Sequence, residues 1–139
     1  MLEIQLLDWP AAQAEAQRIR FAVFVEEQGV PPDLEMDDQD AQCIHALAYA
    51  EGKVVGTGRL LPDGHIGRMA VLKDARGRGA GRALLRALID AARRRGDPEI
   101  ALNSQVQALG FYRAAGFEPM GAVYEEAGIP HQAMRMKLA

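Results

Sequence analysis

The residues of this 139-residue chain whose types and spacing most directly suggest chemistry are Arg76-Gly77-Arg78-Gly79-Ala80-Gly81. Three glycines at alternate positions let the backbone come close to a ligand and turn its N–H groups toward it. A strand-like run at 66–71 precedes them and a strongly amphipathic helical pattern over 82–95 follows. A helix that begins at such a turn contributes unpaired N–H donors and the positive end of its dipole, an arrangement that binds anions. Arg76, Arg78 and Arg82 bring full positive charges to the same place. The segment reads as a cradle for a diphosphate. A dinucleotide-binding fingerprint would need glycine at position 82, which is Arg82, and a P-loop would need Gly-Lys-Ser/Thr where the chain has Gly81-Arg82-Ala83. Neither pattern fits.

Groups that could move a proton or attack a carbon are few. His45, His65 and His131 are candidate bases, because an imidazole titrates near neutrality. His65 follows the Asp63-Gly64 turn and is expected to be exposed, and His45 reads as a strand histidine with a hydrogen-bond partner. The single cysteine, Cys43, excludes an internal disulfide, fits a reducing cytosol and reads as a small inert thiol. The acidic run does not make an EF-hand, since a loop starting at Asp33 would need glycine at 38 and glutamate at 44. No metal is expected.

Charge is distributed unevenly. The net charge is −3, yet residues 68–95 hold nine Lys/Arg against two acidic residues, while residues 26–40 hold seven acidic residues and no Lys/Arg. Such polarity suits an anionic ligand at one place and a cationic one at another; two solvated surfaces are the plainer alternative. The triple arginine at 93–95 falls in a last helical turn, where cations favour the dipole, and aromatics are only 6% of the chain with none inside the basic stretch. Nucleic acid is therefore not an expected partner. There is neither an apolar run long enough to span a membrane nor a secretory signal pattern, so a cytoplasmic protein is expected.

The elements that must position these groups can be read coarsely. A strand at 2–7 is followed by Asp8 as N-cap and a helix at 11–25. A polar loop at 28–42 leads to strands at 46–50 and 54–61, joined at Glu51-Gly52-Lys53, and then to a strand at 65–71. The helix at 82–95 stops at Gly96 and Pro98, a strand lies at 100–103, a helix at 106–115, and strand-like segments hold Tyr124 and residues 134–138. Strand, glycine turn, helix and strand imply a right-handed crossover between parallel strands beside an antiparallel region, hence one α/β domain over 1–139 with a mixed sheet.

With the preceding Arg68-Met69-Ala70-Val71, the Arg-x-x-Gly-x-Gly pattern at Arg76, Gly79 and Gly81 resembles the acetyl-CoA motif of the GNAT N-acetyltransferase superfamily. A second match is Gly110-Phe111-Tyr112-Arg113-Ala114-Ala115-Gly116-Phe117. Val23-Phe24-Val25-Glu26-Glu27-Gln28, Asp37-Asp38-Gln39-Asp40, His45 and Glu126-Ala127-Gly128-Ile129-Pro130-His131 are similar to the ElaA-type branch, which extends the resemblance over nearly the whole chain. The resemblance implies a mostly antiparallel central sheet flanked by helices. It also implies direct transfer of an acetyl group from acetyl-CoA to an amine of a small molecule. A protein or peptide acceptor and a silent acyl-CoA-binding module are the alternatives, and homodimerisation is compatible with such a domain.

On this resemblance the backbone of Arg76, Gly77, Arg78, Gly79, Ala80 and Gly81 holds the diphosphate, and the strand edge at Met69, Ala70 and Val71 holds the pantetheine arm. Asn103 is a further contact or a strand-end turn residue. Tyr112 is the general acid for the leaving thiolate or a packing tyrosine. His131 is the base or a structural loop histidine, with Glu27 and Glu126 as other bases acting through water. Arg68 holds an acceptor carboxylate or is a salt-bridged strand residue. The other substrate arginines of a related small-acid acetyltransferase are unmatched, the positions being Val25 and Gln105.

Overall fold

A computed structural model describes residues 2–139. Its elements run β1 (Leu2–Leu7), α1 (Trp9–Arg20), a π-helical extension (Phe21–Glu27), α2 (Pro32–Glu35), β2 (Ile44–Ala50), β3 (Lys53–Leu60), β4 (Ile66–Val71), α3 (Ala80–Arg95), β5 (Glu99–Gln105), α4 (Leu109–Ala114), β6 (Glu118–Glu126) and β7 (Ile129–Lys137). α1 starts where Asp8 Oδ1 accepts the Ala11 N–H at 3.0 Å, a capping bond that satisfies one of the unpaired first-turn donors. α3 ends at Gly96, whose left-handed φ of +89° lets its N–H turn back on Ala92 and Arg93.

Four strands form an antiparallel sheet in the order β1-β2-β3-β4, and three form a second in the order β5-β7-β6. The crossover from β4 through α3 to β5 is parallel, as expected, but a single bridge, His65 to Ala101, joins the two sheets. Beyond it the strands splay apart. The residues at 68–71 of β4 and 102–105 of β5 therefore face each other across a cleft without pairing.

Two cores flank the first sheet, and one of them runs on into the second. One packs Leu84, Leu85, Leu88 and Ala92 of α3 against Ala46, Leu60, Ile100 and Met134. The other packs Ala12, Ala16, Ile19 and Val23 against Leu47, Val54 and Ala70. Met69 packs on the α3 side and Ala70 on the α1 side, as alternation along a strand requires. Among the described residues no helix is long and apolar enough to cross a membrane.

The segments read as irregular differ most from expectation. The loop at 28–42 holds α2 and a 3-10 turn at Asp40–Gln42. The helix expected at 11–25 changes pitch at Phe21 into the π-helical extension. The C-terminal segment is a long β6–β7 hairpin, so His131 lies in the middle strand of its sheet rather than in a loop. Pro130 and the short gap to Gly128 conceal a strand whose pairing is supplied from both sides.

Candidate functional site: a cleft between two unpaired strand edges

The β4 edge of the cleft offers hydrogen-bond donors. The Leu72 N–H bonds Val55 of β3 at 2.8 Å; alternation then turns the N–H groups of Val71 and Met69 the other way, into the cleft, and sends that of Ala70 toward β3. Gly58 faces this stretch across β3–β4, and a Cβ there would sit 2.5 Å from Met69 Sδ. Here the pairing register slips between Thr57 and Arg59. The slip makes a bulge at Arg68, which takes a left-handed φ of +48°, an uncommon conformation for a residue with a side chain.

The glycine loop continues from this strand. Gly79, at φ +88°, occupies the N-cap position of α3, and no side chain caps the helix. Its first-turn N–H groups are left for a ligand, which is the fit a diphosphate requires. Gly81 lies against α4: a Cβ there would stand in van der Waals contact with the Phe111 ring, at 3.4 Å. The loop and the Phe-Tyr helix are thus packed together.

Tyr112 lies edge-on to Phe111 and Phe117, at centroid distances of 5.0 and 6.1 Å. Burial pushes its phenol up to about 12, so it stays protonated near neutrality. On the other wall, Asn103 is exposed on β5. Asn103 and Gln105 share a face with His131, which pairs directly with Gln105 and with Tyr124. The His131 ring is buried, with Tyr124 stacked on it at 6.0 Å.

The His131 Nδ1 lies 2.7 Å from the carbonyl of Ile129. A carbonyl only accepts, so Nδ1 carries the hydrogen and the neutral ring keeps its lone pair on Nε2. That nitrogen is 3.9 Å from Glu126 Oε2, too far for a hydrogen bond.

Three residues assigned separate roles are already engaged. Arg76 donates from Nε to the Val71 carbonyl at 3.0 Å and from both terminal nitrogens to Glu27, at 2.5 and 2.6 Å. Its hydrogen bonds hold the Glu27 carboxyl below its usual range. Arg68 donates to the Glu35 carbonyl at 3.2 and 3.1 Å and to Asp37 at 3.3 Å. The loop arginines not held in this way are Arg78 and Arg82. A groove of about 940 Å3 is bordered by Glu26, Glu27, Lys53, Lys73 and Arg78. It reaches neither Tyr112 nor His131, so its size does not locate the chemistry.

Behind the Arg68 bulge lies a buried ionic network that the sequence reading did not identify. Arg20 pairs with Glu35 and, at 2.9 and 3.1 Å, with Asp40. Arg59 joins Asp40 at 2.9 Å to Asp37 at 2.9 and 2.7 Å, while its Nε is buried without a partner. Burial pushes the Asp40 carboxyl up, but Arg20 and Arg59 outweigh it and hold it low. The Arg59 hydrogen bonds carry Asp37 down to about 2. His45 closes the network through Nε2 and the Asp40 carbonyl at 2.8 Å, and burial lowers its pKa.

Of the acidic segment, Glu35 and Asp40 are thus buried against arginine and Asp37 is paired with Arg59, while Glu26, Asp33 and Asp38 remain exposed. One signal was available: Arg20 falls on the apolar stripe of α1 with Ala12, Ala16, Ile19 and Val23.

A splayed sheet, a cleft edged by free strand donors and an uncapped helix behind a glycine loop define an acyltransferase of the GNAT class. The Acetyltransferase (GNAT) domain family matches residues 11–138, and the chain belongs to that family. It is 35% identical to YyaT of Bacillus subtilis over 99% of this chain and 97% of that one. Escherichia coli ElaA is 33% identical over 84% of this chain and 82% of its own length, and the ElaA crystal structure superposes with a TM-score of 0.87 at 29% identity, covering 99% of this chain and 100% of that one. An acyl-CoA N-acyltransferase from Pseudomonas aeruginosa is 30% identical with a TM-score of 0.87, covering 98% of this chain and 99% of that one.

Proposed function

We propose that the protein transfers an acetyl group from acetyl-CoA to a primary amine of a small molecule, by direct attack in a ternary complex. The observation that carries this reading is the convergence of an uncapped α3 N-terminus with two facing, unpaired strand edges. The first suits a diphosphate and the second an amide-bearing arm. Acetyl-CoA supplies the activated acyl carbon. The Met69 and Val71 N–H groups point toward the cleft, where an oxyanion would need donors. His131 Nε2 accepts a proton from the bound ammonium, and the free amine so formed attacks the thioester carbon.

Tyr112 donates to the departing sulfur. A phenol at about 12 is a weaker acid than a thiol near 8.5 in water. The burial that raises the phenol also raises a thiol placed beside it, which brings the transfer nearer balance. A covalent acyl-enzyme finds no support, because burial raises the pKa of Cys43 and its thiol donates to the Gln39 carbonyl at 3.2 Å. The same unpaired cysteine supports a cytoplasmic setting.

The test is thiol release from acetyl-CoA with a panel of primary amines. His131→Ala is expected to lower kcat/KM by about 100-fold or more. Tyr112→Phe is expected to lower kcat about 10- to 100-fold while the CoA Kd stays within about twofold. Tight CoA binding with no thiol release from any amine would leave an acyl-CoA-binding module and end the catalytic reading.

A further inference from the structure

The end of the π-helical extension holds both walls of the cleft with two successive residues. Glu27 bonds Arg76, whose Nε caps the Val71 carbonyl at the end of β4. Gln28 exchanges hydrogen bonds with Gln105 at the end of β5: Gln105 Nε2 to Gln28 Oε1 at 2.8 Å, and Gln28 Nε2 to Gln105 Oε1 at 3.4 Å. Gln107 donates to the same Gln105 oxygen at 2.5 Å. Among the described residues no other side-chain hydrogen bond joins this segment to β5. π-helical turns recur at functional sites.

The two arms differ in strength. The Glu27–Arg76 arm is a charge-assisted, bidentate pair with a third bond to the backbone, and such pairs hold roughly twice as strongly as neutral ones. The Gln28–Gln105 arm is a pair of neutral amides, whose net worth is about that of ordinary hydrogen bonds. Gln105 also stands directly across from His131 on the neighbouring strand. The amide pair thus lies beside the His131 register position.

We propose that Glu27 and Gln28 form a strap over the acceptor end of the cleft, fixed at Arg76 and opening at Gln105, and that the opened amides of Gln28 and Gln105 recognise an amine carrying a neutral amide group. This rests on the acetyltransferase reading above. An opened carboxamide offers a donor and an acceptor side by side, the complement of another amide. It offers no charge to balance a carboxylate, and the nearest cationic side chain on the β4 bulge, Arg68, is already held by Glu35 and Asp37. Glu27 is here a positioning residue, acting through Arg76.

The experiment compares three matched amines, L-alaninamide, L-alanine and isopropylamine, as acceptors from acetyl-CoA, with CoA affinity measured separately by calorimetry. Wild-type protein is expected to favour the amide over the carboxylate by at least about tenfold in kcat/KM, the equivalent of 1.4 kcal/mol. Gln105→Ala and Gln28→Ala are each expected to erase most of that ratio while CoA affinity stays within about twofold. A fold defect would lower all three amines together and would not change the ratio. Retention of the ratio in both variants, preference for L-alanine or isopropylamine, or no turnover of any of the three amines while CoA binds would overturn the strap's recognition role. Failure of wild-type protein to bind CoA would instead overturn the proposed function.

Discussion

The glycine loop beyond β4 and the buried network behind its Arg68 bulge use arginine in opposite ways. At the loop, cations stand near exposed backbone donors, and the helix end they flank has no cap of its own. At the network, Arg20 and Arg59 are buried and closed off by Glu35, Asp37 and Asp40 within the fold. The first arrangement leaves binding capacity unspent; the second commits it to fixing the Arg68 bulge and the loop over it. Arg76 stands between these cases, near the loop yet fully engaged by Glu27 and Val71. Substitutions at the loop should therefore register in ligand affinity, and those at the network in stability.

The largest expected effect tests the network. Asp40→Ala removes the carboxylate shared by Arg20 and Arg59 and leaves buried positive charge uncompensated, which costs about 3–5 kcal/mol. Urea unfolding measures this, and a loss below about 1 kcal/mol would make the network dispensable to the fold. Gly79→Ala should show the opposite profile. The left-handed φ of +88° costs a residue with a Cβ about 1–2 kcal/mol, while CoA binding falls by at least about tenfold because the helix-end donors turn away. Equal losses of stability in the two variants would erase the distinction.

A smaller effect concerns acid. Asp37 is held at about 2 in the folded chain and titrates near 3.9 when unfolded. The unfolded state thus binds the proton first, and the stability this pair contributes, present above about pH 4, is lost as pH falls toward 2. His45, kept neutral by burial, adds a loss in the same direction below its unfolded value near 6.5. Asp37→Asn should flatten the fall in urea midpoint between pH 4 and 2 and leave the glycine loop's CoA affinity within about twofold. Least of all should change on removing the Glu15–Arg18 pair, exposed on α1. Glu15→Ala is expected to shift stability by less than about 0.5 kcal/mol.

The amino-acid sequence by itself determined the glycine turn and the helix that follows it. Gly79 and Gly96 bracket α3 through local backbone geometry, and the helix's stripe of leucines follows from its own period. Such features depend on residues a few positions apart, so a linear reading reaches them. Only the tertiary structure decided the rest. The crossover predicted as parallel pairing is reduced to the His65–Ala101 bridge because β4 takes its ladder partner from β3 and β5 takes its partner from β7. His131 became a strand residue because β5 and β6 both pair with β7. Glu27 met Arg76, Gln28 met Gln105, and Arg20 met Asp40 across sequence separations of 49, 77 and 20 residues. Charge and amide partners at such distances are selected by where the packed elements place them, and no local period records that choice.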